Sequence, residues 1–485
     1  MNLRQKTLSG LVWTFTQQFS GQFLNFFVSI SLARLLTPAE FGLIGMITIF
    51  ISIGNSLLDS GLTSSIIRTP NADQKDYSTV FCLNLIGSVI IYGIIFFAAP
   101  FIAAFYKHEI LTRLVRVYTL TFIITAFMQV QAGKLTKEMN FKTQLIIQLP
   151  SIVGGGLLGI ILAYLGYGVW SLVWMGLFQT FLASVQHWLY SGWRPDLQFD
   201  WPRFKHHFNF GYKITLSGLL ETFYQNLYYV LIGKYFSAAQ LGYYTRALSM
   251  RQLPVSNITQ ALTKVTYPMF SSISEDNKKL KEVYKRVMQQ VVFWVTPILV
   301  LLMVVAEPLF RFLLTEKWLP AVPYFQILCI SGMIYPLQTY NYNILKVKGR
   351  TDITLKVQTI KKIYCLIGIF CAIPFGIYGL LYFQVISALI DYSLDCHFGG
   401  KMINYPVLQQ LRDVLPSMSL AFLVGSLCWG FDSFLVEIFQ VNDWGRLVLC
   451  GLFYFALYLG LSSTIRLSAV KDFRQLVLKP IINFL

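Results

Sequence analysis

Two arginines, Arg246 and Arg251, stand inside an apolar run at 242–262. Counted from the turn near Ala239 at about 1.5 Å per residue, they lie roughly 9 and 16 Å along a helix. Arg251 is then too deep to reach water easily, and a buried arginine is costly unless it faces a cavity or a partner. A guanidinium so placed can hold an oxyanion through paired hydrogen bonds, which an ammonium cannot reproduce. Two acids occupy comparable positions: Glu221 in the run 214–233, and Asp59, one turn after Asn55, in the run 41–62. Either could bind a coupling proton or sodium ion, neutralise an arginine, or sit on a wet face. Arg34 and Lys234 end two runs at equivalent outer positions, where they could form a cationic rim or simply snorkel. The same ambiguity holds for Arg113 and Arg116, one helical turn apart. Tyr224, Tyr228 and Tyr229 with Gln225 and Asn226 form a polar-aromatic face suited to stacking and hydrogen-bonding sugars. Interfacial aromatics are the plainer explanation.

These residues are informative because of what surrounds them. The 485-residue chain is 55% hydrophobic and only 13% charged. Soluble domains average about 25% charge, so a set of soluble domains is excluded, and so is disorder. The composition predicts an all-α polytopic membrane protein. Fourteen apolar stretches approach the ~20 residues that a bilayer requires. They lie near 11–33, 41–62, 80–104, 114–132, 144–165, 169–190, 214–233, 242–262, 288–306, 321–344, 358–375, 378–398, 415–431 and 446–465. The first reads as an uncleaved span. The seven cysteines form no C-x-x-C pair and read as small core residues, not as a metal or disulfide framework.

Lys and Arg exceed Asp and Glu by 39 to 22. In a membrane protein this excess points to topology, not to nucleic acid. With loops assigned alternately, 29 basic residues fall on the side of both termini and 8 on the other. Both termini are therefore expected in the cytoplasm. Basic clusters at 278–286 and 346–362 would face anionic membrane lipids or dock a partner enzyme. The stretch 193–213, containing WPRFKHHF, is expected as a surface-lying linker.

The chain also contains an internal repeat. TLSGLVWTFTQ at 7–17 recurs as TLSGLLETFYQ at 215–225, with eight of eleven positions identical. ARLLTPAEFG at 33–42 is echoed by GKYFSAAQLG at 233–242, and GKLTKEMNFKTQ at 133–144 by VKGRTDITLKVQ at 347–358. Gly168 and Gly379 open comparable spans. The order predicts a parallel repeat of two six-helix lobes, 1–200 and 201–400, with two further helices in 401–485. Such a duplication suits rocking-lobe, alternating-access transport around a cleft.

The segment ARLLTPAEFGLIGM at 33–46 resembles the first-loop motif of the Wzx-type polysaccharide-transport flippases. DYSTVFCLNL, AAPFIAAFY, KEMNFK, LGYGVWSLV, LGYYTRA and ILKVKGRTD, in family order from 76 to 352, extend the resemblance over about residues 1–400. It implies the MOP exporter superfamily in a bacterial inner membrane. It further implies movement of a polyprenyl-pyrophosphate-linked oligosaccharide to the outer leaflet. On that reading Arg251, Arg246, Arg34 and Lys234 are candidates for the pyrophosphate, Tyr224 and Gln225 for sugar, and Glu221 and Asp59 for ion coupling. No cofactor or metal is implied, and a partner enzyme would be one of polysaccharide assembly. A multidrug cation exporter of the same superfamily is the alternative, but such a site needs acids, and here arginines balance them. Peptidoglycan-precursor export is a third option. A membrane glycosyltransferase or ligase is disfavoured by short external loops and by the absence of G-x-S-x-G, H-E-x-x-H or a phosphate-binding loop.

Overall fold

The computed structural model describes residues 3–58, 61–196 and 198–473, with the side chains of 3–12, 256–258, 260–262, 264–265 and 472–473 outside the description. Among these residues the secondary structure is helical, with no strand. Apolar runs in hydrocarbon must satisfy every backbone group internally, and a helix does so within one segment. The chain is a multi-pass membrane protein.

Contacts divide it into two compact units, Met1–Gly242 and Tyr243–Leu485. The first holds α1 (Leu3–Leu35), α2 (Pro38–Leu58), α3 (Leu62–Arg68), α4 (Gln74–Tyr106), α5 (Ile110–Tyr118), α6 (Leu120–Lys137), α7 (Phe141–Tyr164), α8 (Val169–Tyr190) and α9 (Trp201–Tyr235). Helix α10 (Ala238–Ser272) starts in the first unit and continues in the second. There follow α11 (Asn277–Val304), α12 (Ala306–Leu314), α13 (Val322–Val347), α14 (Thr351–Ala372), α15 (Gly376–Asp395), α16 (Val407–Glu437), α17 (Asp443–Thr464) and α18 (Ser468–Phe473). This contact division is distinct from the repeat boundaries at 200 and 400, which it does not test.

Each of the fourteen apolar stretches overlaps a helix. By length and composition, ten helical segments among the described residues can cross a membrane, one of which, Thr351–Gly400, contains both α14 and α15. Helices α1, α9 and α10 are not among the ten, because polar and charged residues interrupt them. Two loop assignments need correction. The stretch 193–213 is not a separate surface segment: WPRFKHHF forms the first turns of α9, with Asp200 capping the helix at the Arg203 N–H. The loop left between the apolar runs ending at 431 and beginning at 446 is shorter, since Asp432 lies within α16 and pairs twice with Arg446 of α17, at 2.9 and 2.7 Å. Both groups are buried, so each satisfies the other's charge.

The repeat has a physical expression at the helix starts. Thr37 donates from its N–H and hydroxyl to Glu40 at 2.6 and 2.9 Å. Ser237 and Gln240 repeat that capping arrangement. One turn further on, a Cβ on Gly42 would land on the Ala238 carbonyl oxygen, and one on Gly242 would land on that of Pro38. The first turns of α2 and α10 thus touch backbone to backbone, reciprocally, and only glycine fits either position.

Backbone landmarks also adjust the register of the later matches. Met139 and Gly349 both take left-handed φ, 56° and 68°, after α6 and α13. Asn140 N–H then bonds the Leu135 carbonyl, as Arg350 N–H bonds that of Leu345. That pairing equates Gln148 with Gln358 and moves the match by four residues. Before α8 both Gly166 and Gly168 take positive φ, 82° and 55°, and at the start of α15 Gly376 does, at 75°, whereas Gly379 lies inside α15. Sequence identity alone aligned the polar residues; the turn geometry aligns the helices.

Candidate functional site

Within the first unit, helices α1, α2 and α5–α8 line a cavity of about 530 Å³. Gln17 comes from α1, Asn55 from α2, Tyr118 from α5, and Thr121 and Thr125 from α6. Gln144, Gln148 and Ser151 line it from α7, and Gln179, Thr180 and His187 from α8. Among the described residues, no Asp, Glu, Lys or Arg lines it. This is a neutral surface of amides and hydroxyls between apolar helices.

Small residues bring these helices together. A Cβ on Gly155 of α7 would lie 2.6 Å from the Gln179 Cβ, and one on Gly159 would lie 2.9 Å from that of Met175. Gly21 of α1 meets the Gln148 amide, and Gly176 of α8 accepts the Tyr118 ring. Close backbone approach leaves the longer polar side chains to surround a void. Pro150 sits inside α7 and removes one backbone donor there. Gln186 donates to Ser151 at 2.9 Å, and Gln144 to Thr136 at 2.8 Å. His187 Nδ1 lies 2.7 Å from the Ala183 carbonyl oxygen, so Nδ1 carries the proton and Nε2 keeps its lone pair in the neutral ring. Among the described residues, no hydrogen bond from protein engages the amides of Gln148 or Gln179. They are available to a ligand.

The residues singled out from the sequence are distributed elsewhere. Arg251 donates from Nη1 to Ser331 Oγ of α13 at 3.0 Å. Arg246 is 6% exposed, its guanidinium 5.5 Å from the Trp318 ring centroid. Lys234 donates to the Phe105 carbonyl at 2.6 Å and lies 4.2 Å from that residue's ring centroid. Arg34 is exposed at the end of α1, and so is Arg113 on α5. Arg116 donates to the Phe96 carbonyl at 3.3 Å and covers its ring, which is an anchoring role. Glu221 is exposed on α9 and accepts from Gln225 at 3.1 Å. Tyr224 meets Phe223 edge-on at 6.3 Å. Asp59 lies outside the described residues. Of the described residues of this set, only Asn55 lines the cavity. The amides were missed, although a signal existed: Gln144, Gln148 and Ser151, and Gln179, Ala183 and His187, recur at helical spacing within apolar runs.

The sequence profile of the family described as "Polysaccharide biosynthesis protein" matches residues 31–323, more than half of the chain. The chain belongs to that family. It is 25% identical over 436 residues to the teichuronic acid biosynthesis protein TuaB of Bacillus subtilis (strain 168), covering 87% of each chain. It is 25% identical over 406 residues to the lipopolysaccharide biosynthesis protein WzxC of Escherichia coli (strain K12), covering 81% of each. Its fold matches that of the lipid II flippase MurJ in an inward closed conformation, with a TM-score of 0.76 at 15% identity, over 96% of this chain and 100% of that one.

In this member of the polysaccharide biosynthesis protein family, a second polar cluster lies beyond the apolar run 214–233, at the start of α9. Gly61 and Gly211 approach closely enough that a Cβ on Gly61 would sit 2.9 Å from the Gly211 Cα, which sets α9 against α3. His207, with no exposed surface, then bridges Ser65 Oγ at 2.8 Å and Asp76 Oδ1 at 3.2 Å. Arg203 pairs with both Asp73 and Asp76. Burial holds His207 below the ordinary histidine range, partly opposed by the Asp76 hydrogen bond. The neutral ring donates from Nε2 to Asp76 and accepts the Ser65 hydroxyl at Nδ1. Serine, histidine and carboxylate in line resemble a hydrolytic triad, but Ser65 is 3% exposed, so no substrate reaches its hydroxyl. The array ties α3, α4 and α9 together. The connection before α9 is fastened to the same corner, with Gln74 bonding Arg194 and Trp193.

Proposed function

We propose that this chain moves a polyprenyl-pyrophosphate-linked oligosaccharide from the cytoplasmic to the outer leaflet of the bacterial inner membrane, by alternating access, for surface polysaccharide assembly. The observation that carries this reading is the neutral, amide- and hydroxyl-lined cavity of about 530 Å³ within a membrane-embedded member of the polysaccharide biosynthesis protein family. Its volume falls in the usual range for small-ligand sites. Sugar hydroxyls pair with amides in both directions, as donors and as acceptors. An organic cation would call for a carboxylate, and the described lining residues include none. The named roles of TuaB and WzxC in polysaccharide biosynthesis agree with a glycan cargo.

In this reading Arg251 and Arg246 hold pyrophosphate oxygens, while the polyprenyl tail stays in the bilayer. Both termini are cytoplasmic, and the protein acts as a transporter without catalysing bond cleavage. Deletion of the gene tests this. Lipid-linked glycan should accumulate on the cytoplasmic leaflet while surface polysaccharide disappears. Normal surface polysaccharide with no accumulated intermediate would overturn it.

A further inference from the structure

The repeat register brings an unassigned group of ionisable residues to the counterpart of the neutral cavity. Pairing Met139 with Gly349 places Lys361 of α14 at the position of cavity-lining Ser151. On α15, Asp391 and Asp395 lie one helical turn apart and both face Lys361. At the Ser151 position the second repeat therefore carries a charged group. Asp391 and Asp395 both lie within the apolar run 378–398, in addition to the intramembrane acids Glu221 and Asp59.

Lys361 Nζ lies 2.5 Å from Asp395 Oδ2 and 3.8 Å from Asp391 Oδ1. The Tyr364 hydroxyl donates to Asp391 Oδ1. With both carboxylates ionised and the lysine protonated, the group has a net charge of −1. Asp395 is 1% exposed, and its Oδ1 accepts no hydrogen bond. One helical face also presents Gln384, whose buried Oε1 is likewise without a donor. A buried, unpaired carboxylate oxygen is among the most costly groups a protein can hold. The other titratable groups around the aspartates are Cys365 of α14, Tyr284 of α11, and Tyr392 and Cys396 on the same chain segment. From α13, Gln338 donates to the Ala388 carbonyl at 2.6 Å. Lys361 is the cation that pairs with both aspartates, and its ammonium repels a metal ion. The ligand that relieves the excess charge is a proton.

We infer that Asp395, with Asp391 and Lys361, is the proton-binding site that couples transport to the proton gradient. This rests on the transport reading above. The step balances simply. A proton from the aqueous phase forms an O–H bond at Asp395 Oδ1. Lys361 keeps its three protons and shifts its pairing to ionised Asp391, and the group passes from −1 to neutral. Release of the proton restores the Lys361–Asp395 pair. The two charge states favour different packing of α14 on α15, which is the element a gradient can drive.

The test uses full-length protein in two readouts. One is surface polysaccharide export in a deletion strain, with and without a protonophore. The other is infrared detection of a protonated carboxyl in the purified, reconstituted protein across pH. Asp395→Asn at normal membrane abundance should lose both gradient-driven export and the carboxylic-acid band. Asp395→Glu should keep both in part. Asp391→Asn, which leaves the Lys361–Asp395 pair intact and neutral, should lose the band as well, and it serves if Asp395→Asn does not reach the membrane. Wild-type export and protonophore response in Asp395→Asn would overturn the inference. So would recovery of gradient-driven export in the double variant Lys361→Met, Asp395→Asn, since a merely structural ion pair predicts that recovery. If wild-type protein fails to restore surface polysaccharide, the transport reading fails instead, while the infrared titration still reports on the proton site.

Discussion

Replacing Gln148 and Gln179 together by leucine tests the cavity. Both amides line it from facing helices, and neither is engaged by protein among the described residues. Leucine has similar volume and keeps the Cβ that packs against Gly155. Replacing a half-buried amide by an apolar group of like shape is close to neutral for folding. Membrane abundance should therefore hold. A bound glycan loses at least one hydrogen bond per amide, each worth about 0.5–1.5 kcal/mol net. The pair amounts to roughly 1–3 kcal/mol, or about 5- to 150-fold in binding. At limiting cargo the export rate should fall by a comparable factor. The assay is surface polysaccharide production in a deletion strain carrying the variant, normalised to the protein in the membrane. Export within twofold of wild type at equal abundance would refute the assignment of this cavity to the glycan.

Arg251→Ala should abolish export while leaving protein in the membrane, and Arg251→Lys should retain part of the activity; full export by a stable Arg251→Ala protein removes the pyrophosphate role. Gly42→Ala drives a methyl group into the Ala238 carbonyl, and overpacking against rigid backbone should cost more than the usual ~1–3 kcal/mol, seen as a lower thermal midpoint or loss from the membrane. His207 has its folded pKa below the ordinary value of about 6.5, chiefly through burial. Its contribution to stability is complete above that pH and is lost as pH falls towards the folded value, because the unfolded chain binds the proton first. The thermal stability of wild-type protein should therefore fall on acidification, and His207→Asn should flatten the dependence. An unchanged slope in the variant would assign the effect to other groups.

Much of this protein is legible locally. Apolar runs of membrane-spanning length specify helices because hydrocarbon leaves the backbone no other partner. The repeat was visible because its capping residues, Thr37 with Glu40 and Ser237 with Gln240, are short-range chemistry that survives in the sequence. The motifs at 33–46 and beyond pointed to the family. The match to residues 31–323 agrees. Where helices carry polar residues, as in α1, α9 and α10, composition alone did not settle their membrane status, since a polar face inside a bundle and one in water look alike.

The tertiary structure decided which polar residues meet. Isolated charges drew attention to Arg251 and Glu221, yet a neutral cavity is assembled from amides on α1, α2, α7 and α8, each ordinary in its own helix. Asp391 and Asp395 carry no local signal of a partner, yet Lys361, on the preceding helix, pairs with both. His207 has no local signal of burial, yet the contact of Gly61 with Gly211 seals it against Ser65 and Asp76. Helix formation depends on neighbours one turn away, and so the sequence by itself determined the helices and their duplication. Cavities, buried ion groups and sealed hydrogen bonds depend on which faces of distant helices come into contact, and that is set by close packing at glycines, not by any local pattern.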